Sequence, residues 1–199
     1  MVSGEEKAWE LLASLPPEEV CRNTQAAYDA EEGAYILVSC GMEVRIAPKE
    51  RKICSNAPGS DLLLQRMSYF FKLSALWYLC SAKDIALSGR LVSPVNLKGG
   101  QLYFRGSHVL PNDKVAQKYG TDAAGFIARG KELGGEVLEH GDAAVRLFPL
   151  PRVPVVLILW TQDEEFPPRM DLLLDSTCEM QLPLDIVWSI AMMSLLIML

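Results

Sequence analysis

The feature that most constrains the fold is the carboxyl-terminal segment, in which residues 186–199 form a run of 14 residues without a charged side chain. As a helix this run is about 21 Å long, which is shorter than the roughly 30 Å hydrocarbon layer of a membrane. Pro183 and Asp185 interrupt the apolar pattern just before it. We therefore expect no membrane span, and an apolar helix over residues 184–199 that packs into the core or against a second copy of the protein.

The composition is typical of a globular protein. Half of the 199 residues are hydrophobic and 22% are charged, which supplies enough apolar side chains for a core. The net charge is −6, whereas nucleic-acid backbones require a broad positive field, so we expect no nucleic acid as a partner. Eight acidic and two basic residues lie within residues 1–33, which predicts an acidic, helical amino-terminal segment with a solvated face.

The five cysteines have no short spacing between them. The sequence has no Cys-x-x-Cys pair and so lacks the local signature of an iron–sulfur cluster or a zinc ribbon. The first residues are charged and lack the apolar run of a secretory signal. We therefore expect reduced thiols, a cytoplasmic location and no iron–sulfur cluster in this protein.

Helices and strands are predicted from hydrophobic periodicity and from turn residues. The predicted helices before the carboxyl-terminal one span residues 5–15, 17–30, 62–82, 112–119 and 121–133. The predicted strands span residues 34–40, 42–47, 136–140, 142–148, 155–160 and 169–175. No linker divides the sequence, so the prediction is a single α+β domain over residues 1–199. Its sheet is mostly antiparallel, with five or six strands and with helices packed on one face.

Four blocks, in order along the sequence, carry a resemblance to a known family. They are LKGGQLYFRGSHVLP at 97–111, a double-glycine turn at 134–135, LPRVPVVLILWTQDEEFPP at 150–168 and LPLDIVW at 182–188. The protein resembles the bacterial and archaeal family called domain of unknown function 3786 over most of its length. Some members of similar sequence, mostly from anaerobes, carry an added iron–sulfur module like that of corrinoid iron–sulfur proteins. The resemblance therefore implies a setting in anaerobic corrinoid metabolism, although this sequence has no four-cysteine cluster.

The first candidate segment is QLYFRGSHVLP at residues 101–111, the histidine loop, which contains Arg105 and His108. A neutral imidazole can be an axial ligand of a tetrapyrrole metal when its second nitrogen donates to a carbonyl or carboxylate. The alternative is a histidine bonded to the loop backbone. Gly99, Gly100 and Gly106 can let backbone amides approach an anion, but they lack the spacing of a phosphate-binding motif, and turn geometry is the alternative explanation.

The second candidate segment is the acidic loop at residues 160–168, which follows the apolar run of the predicted central strand. Its candidate binding residues are Trp160, Asp163, Glu164, Glu165 and Phe166. Adjacent carboxylates can hold Mg²⁺ or Ca²⁺, or can divide general acid and base roles if burial raises one pKa. The alternative is a set of solvated loop acids with Phe166 as a hydrophobic plug. Asp171 and Asp175 share a face of the next strand and can complete a metal site there.

Three function hypotheses remain open. The favoured one is a cofactor-binding protein without catalysis of its own, which holds a small molecule such as a corrinoid or haem in a cleft between the histidine loop and the acidic loop. The second is a divalent-metal-dependent hydrolase that uses Asp163, Glu164 and Glu165. The third is a structural or interaction subunit in which the carboxyl-terminal helix joins two copies as a homodimer. The sequence leaves open whether any reaction is catalysed.

Overall fold

The computed structural model describes residues 4–199, so the first three residues of the predicted amino-terminal segment lie outside the described residues. The helices are α1 (Gly4–Ser14), α2 (Pro17–Thr24), α3 (Ser68–Ser81), α4 (Gly100–Tyr103), α5 (Asn112–Tyr119), α6 (Ala123–Glu132), α7 (Cys178–Gln181) and α8 (Leu184–Leu196). A π-helical turn, Leu62–Arg66, precedes α3. Asp122 caps α6, because its carboxylate accepts the backbone N–H of Gly125 at 2.8 Å.

The strands of the described residues form two antiparallel sheets. The small sheet, in the order β1-β2-β3-β4, contains β1 (Ala27–Asp29), β2 (Ala34–Ser39), β3 (Met42–Ala47) and β4 (Lys52–Cys54). The large sheet, in the order β5-β9-β8-β7-β6, contains β5 (Leu91–Val92), β6 (Glu136–Leu138), β7 (Ala143–Leu150), β8 (Val153–Trp160) and β9 (Arg169–Asp175). The α+β class is confirmed. The strands are divided between a five-stranded and a four-stranded sheet, a division that the sequence did not predict.

The second predicted helix ends earlier than expected. It was predicted over residues 17–30, but α2 ends at Thr24, whose hydroxyl turns back to donate to the C=O of Val20 at 2.7 Å. Gln25 then adopts a left-handed conformation with φ of 60°. The backbone goes on as β1, which pairs with β2. Pairing with a neighbouring strand therefore prevails over the helix-favouring composition of this segment.

One face of the large sheet forms the main core. Alternate residues of β8, at Val155, Leu157 and Leu159, are fully buried on this face. Apolar side chains of α3, α5, α6 and α8 belong to the same buried cluster. Gly130 of α6 permits close packing, since a Cβ there would lie 2.6 Å from a methyl group of Val145 in β7. The helices thus cover the core face of the sheet.

The carboxyl-terminal helix is part of this core. Every residue from 186 to 199 is buried or half-buried, and α8 packs against α3. The apolar helix is therefore present and packs into the core, and the homodimer alternative stays a prediction. Within residues 4–199, no helix combines the length and the hydropathy that crossing a membrane requires.

The opposite face of the large sheet leads to the candidate site. Val156 and Ile158 of β8 lie on this face and are buried. Trp160 follows at the same two-residue spacing but is 39% exposed. The acidic loop begins at this point, where β8 leaves the buried part of the molecule.

Candidate functional site

A cavity of about 530 Å³ lies at the end of β8. The indole N–H of Trp160 donates to Asp171 Oδ2 at 2.8 Å. Arg169 is the cross-strand partner of Trp160, and its guanidinium lies 5.0 Å from the centre of the indole ring. Arg169 also forms an ion pair with Asp171 at 3.2 Å. These contacts hold the Trp160 ring in one orientation and leave part of it free for stacking.

The acidic loop is folded by its own hydrogen bonds. Asp163 Oδ1 accepts the backbone N–H groups of Glu165 and Phe166 at 2.8 and 2.7 Å, which closes an Asx turn. The backbone N–H of Gln162 donates to the C=O of Gly120 at 2.9 Å and ties the loop to the end of α5. Phe166 is 65% exposed and lines the cavity. It is therefore a wall of the cavity and does not plug the core.

Two lining residues, Asp142 and Arg169, were missed in the sequence. Asp142 Oδ2 accepts the backbone N–H and the hydroxyl of Thr161 at 2.7 and 2.9 Å. These bonds hold the pKa of Asp142 below its usual range. Asp142 precedes β7 and Arg169 begins β9, so both reach the cavity because β8 pairs with these strands. Antiparallel pairing of the two predicted strands on either side of the acidic loop is the signal that points to Arg169.

The cavity has an excess of negative charge. Asp142 and Asp163 line it together with Arg169, and Arg169 is itself paired with Asp171. Such a site favours a ligand whose rim is neutral or positive and donates hydrogen bonds, and it disfavours phosphates and carboxylates.

The histidine loop packs against α8. The imidazole of His108 stacks on Tyr103 with 4.4 Å between ring centres and meets the ring of Trp188 edge-on at 5.1 Å. The indole N–H of Trp188 donates to the backbone carbonyl oxygen of His108 at 3.0 Å. Arg105 is exposed. Neither His108 nor Arg105 lines the cavity beside Trp160, so this cavity is not the shared cleft that the sequence predicted.

The predicted binding residues thus fall into two groups. Trp160, Asp163 and Phe166 line one cavity. Glu164 and Glu165 belong to the same loop and are exposed, but they do not line it. Three of the seven predicted binding residues therefore share a site, and the other four lie outside its lining.

The carboxylates expected to complete a metal site have other roles. Asp171 is engaged by Trp160 and Arg169. Asp175 is 3% exposed and accepts hydrogen bonds from within the protein. Across the described range 4–199, no group of three or more His, Cys, Asp or Glu side chains is arranged to hold a metal ion. The metal-dependent hydrolase stays a hypothesis from the sequence.

The cysteines are all free thiols. Burial raises the pKa of Cys40, Cys80 and Cys178 to about 12. A thiol with such a pKa stays protonated at neutral pH, and the thiolate is the nucleophilic form. These three cysteines therefore act as apolar core residues.

The sequence blocks and the fold can be compared with known proteins. The family model described as Domain of unknown function (DUF3786) matches residues 16–195. No curated protein and no solved structure matches the sequence. The matched residues include both sheets, the cavity beside Trp160 and the histidine loop. The protein therefore belongs to the family called domain of unknown function 3786.

Proposed function

We propose that this protein binds a planar small molecule in the cavity beside Trp160 without catalysing a reaction, and that the ligand is a corrinoid. The observation that carries the proposal is the state of the Trp160 ring. It stands at the end of a buried strand, is fixed by Asp171 and Arg169, and is 39% exposed. An aromatic ring held in this way loses little conformational freedom when a ligand stacks on it.

The charge of the cavity favours a corrinoid over haem. The rim of a corrin ring carries neutral amide side chains, whereas haem carries propionate carboxylates. Asp142 and Asp163 can accept hydrogen bonds from amides but repel carboxylates. The volume of about 530 Å³ lies within the range of sites for drug-sized molecules, roughly 300–1,000 Å³. A corrinoid is larger than the cavity, so one edge of the corrin ring would enter it and the rest of the molecule would stay outside. Because His108 does not line the cavity, the proposal gives it no role as an axial ligand.

The test is a calorimetric titration of the purified protein with hydroxocobalamin and, separately, with hemin. We expect hydroxocobalamin to bind more tightly than hemin. Trp160→Ala removes the stacking surface, so we expect its affinity for hydroxocobalamin to fall about tenfold or more, equivalent to about 1.4 kcal/mol. Trp160→Phe keeps an aromatic ring and should retain most of the affinity.

Tyr69→Ala is the matched control, because Tyr69 is 81% exposed and does not line the cavity. Its affinity for hydroxocobalamin should equal that of the unmodified protein. The proposal fails if hydroxocobalamin does not bind, or if it binds the Trp160→Ala protein equally well. Tighter binding of hemin would contradict the assignment of a corrinoid.

A further inference from the structure

A second groove, of about 380 Å³, runs along one edge of β9. β5 pairs with β9 only at Leu174 and Asp175. The preceding part of β9 has no neighbouring strand on that side in the part of the protein that the structure describes. The apolar residues that wall the groove are Pro94, Val95, Phe104, Val109 and Leu110. The histidine loop thus lies beside an open sheet edge.

The backbone groups of alternate β9 residues point into this groove. Ser176 donates its backbone N–H to the C=O of Arg90 at 2.9 Å, so residues at even positions of β9 direct their backbone groups away from β8. Asn112 supports this assignment, because its Nδ2 donates to the C=O of Met170 at 3.1 Å on the same edge. Leu172 lies between these two contacts. Within residues 4–199, no hydrogen bond reaches its N–H or C=O on this side.

Asn112 adds a second open acceptor. Its Oδ1 is buried and has no hydrogen-bond partner among the described residues, and Asn112 lines the groove. A buried polar atom without a partner destabilises the protein, so a ligand that donates a hydrogen bond to it relieves that cost. The groove therefore presents one donor and two acceptors that are close together along a strand edge.

We propose that this groove binds an extended peptide segment of a partner protein by strand addition at Leu172. Asn112 occupies the edge at Met170, and Val92 occupies it at Leu174. Between Met170 and Leu174, the N–H and C=O of Leu172 are open. One residue of an extended peptide can accept from this N–H with its C=O and donate to this C=O with its N–H. Side chains next to this residue then enter the apolar walls of the groove.

The charges of the groove define the peptide. Asp113 and Asp171 line it, and no basic side chain is among the lining residues. Asp171 is already paired with Arg169, so the unbalanced negative charge is that of Asp113. Asp113 is exposed and forms no ion pair within the described range. A lysine or arginine beside the pairing residue would complement the carboxylate of Asp113. The expected occupant is therefore an extended segment with apolar residues flanked by basic ones.

Amide hydrogen exchange, measured by NMR, tests the open edge in the free protein. Leu172 is 3% exposed, yet we expect its amide to exchange on the order of 100-fold faster than the amide of Leu174, which β5 covers. Equal protection of the two amides would show that the Leu172 N–H is bonded within the protein. That result would overturn the proposal.

The second measurement adds a synthetic peptide of alternating valine and lysine, with blocked ends, at millimolar concentration. We expect the amide exchange of Leu172 to slow and the side-chain amide signal of Asn112 to shift. Peptides with N-methyl groups on alternate residues, or with glutamate in place of lysine, should bind at least about tenfold more weakly. No binding of the lysine peptide, or equal binding of the N-methylated one, would overturn the proposal.

Val109→Lys tests the groove with a change at an exposed position, because Val109 is 60% exposed. The new lysine narrows the groove and repels the basic peptide, so we expect at least about a tenfold loss of affinity. Val137→Lys is the matched control, since Val137 is 49% exposed on β6 and lies outside the groove lining. Equal affinities in the two variants would place the peptide elsewhere and refute the proposal.

Discussion

The carboxylate of Asp175 joins the end of β9 to the segment before β5. Its Oδ1 accepts hydrogen bonds from the hydroxyls of Ser88 and Thr177 at 2.9 and 2.7 Å, and its Oδ2 accepts the N–H of Gly89 at 2.8 Å. Burial raises the pKa of Asp175, but the bonds from Thr177 and Ser88 outweigh burial and hold the pKa below 3.8. The ionised carboxylate therefore stabilises the folded state above this pH, and its contribution is lost as pH falls through the folded-state pKa.

Asp175→Asn tests this role. The new amide group turns an N–H₂ towards groups that already donate, so we expect the free energy of unfolding to fall by about 1–3 kcal/mol at pH 7. The difference from the unmodified protein should shrink as the pH is lowered from 7 to below 3.8, because the carboxylate of Asp175 in the unmodified protein then becomes protonated. Urea unfolding across this pH range measures both effects. Glu164→Gln is the control, because Glu164 lies in the exposed acidic loop; its free energy of unfolding should match that of the unmodified protein at each pH. If the effect of Asp175→Asn does not depend on pH, the ionised carboxylate of Asp175 does not have this role.

At the scale of secondary-structure elements, the end of α8 is held by side chains that bind the carbonyl groups of Ile197 and Met198, the two residues that follow the helix. The backbone of the helix offers these carbonyl groups no donor. Arg129 Nε and Nη2 donate to the C=O of Ile197 at 3.1 and 2.8 Å. Lys118 and Tyr119 donate to the C=O of Met198 at 2.9 and 2.6 Å. The cations also face the negative end of the helix dipole, so α5 and α6 together hold the last turn of α8 in the core.

Tyr119→Phe removes one of these hydrogen bonds and keeps the ring, which packs against Phe126 with 5.5 Å between ring centres. We expect the free energy of unfolding to fall by about 1 kcal/mol. Amide exchange should become faster in the last turn of α8 and stay unchanged in its first turn. Tyr69→Phe, at an 81% exposed position, is the control. An unchanged last turn in the Tyr119→Phe protein would show that its hydroxyl does not hold the helix end.

Elements with a strong hydrophobic period could be predicted with their bounds, as α5 and β9 were. Elements that depend on contacts with distant residues could not. β5 has two residues and is held in place by its pairing with the end of β9, which no local pattern indicates. β1 replaced the end of a predicted helix, because Asp29 there accepts the N–H groups of Glu31 and Glu32 at 3.1 Å and pairs with Arg45 of β3.

The residues of the candidate site likewise divide into those that a local pattern predicts and those that depend on contacts between distant strands. Trp160, Asp163 and Phe166 were found because they belong to one polar loop after an apolar strand. Asp142 and Arg169 reach the cavity by strand pairing, which the composition of the loop does not reveal. The lining of a site is therefore predicted best where it is continuous in sequence, and its remaining residues require the strand order.

At the scale of the whole molecule, the two sheets meet where two glycine turns touch. Gly41 lies between β2 and β3, Gly134 precedes β6, and both have positive φ. A Cβ on Gly134 would lie 2.7 Å from the Cα of Gly41, which is closer than real Cβ atoms approach. Beside this contact, the N–H of Cys40 donates to the C=O of Phe148 in β7 at 2.8 Å. The hydroxyl of Ser39 also donates to the C=O of Pro149 at 2.8 Å. The backbones of the two turns are thus in direct contact at this joint, and a side chain at Gly134 would push them apart.

Gly134→Ala tests this joint, and Gly59→Ala is its matched control because Gly59 has φ of +78° with nothing within 4 Å of a Cβ. The control carries only the backbone cost of a left-handed alanine, about 1–2 kcal/mol. Gly134→Ala adds a clash with Gly41. We therefore expect its free energy of unfolding, measured with urea, to fall by about 1–3 kcal/mol more than that of the control. Amide exchange should also become faster in β2 and β3 of the Gly134→Ala protein, because the small sheet is then held less firmly against β7. If the free energy of unfolding falls equally in the two variants, the contact between the two turns can relax. The hydrogen bonds of Cys40 and Ser39 are then sufficient to join the sheets.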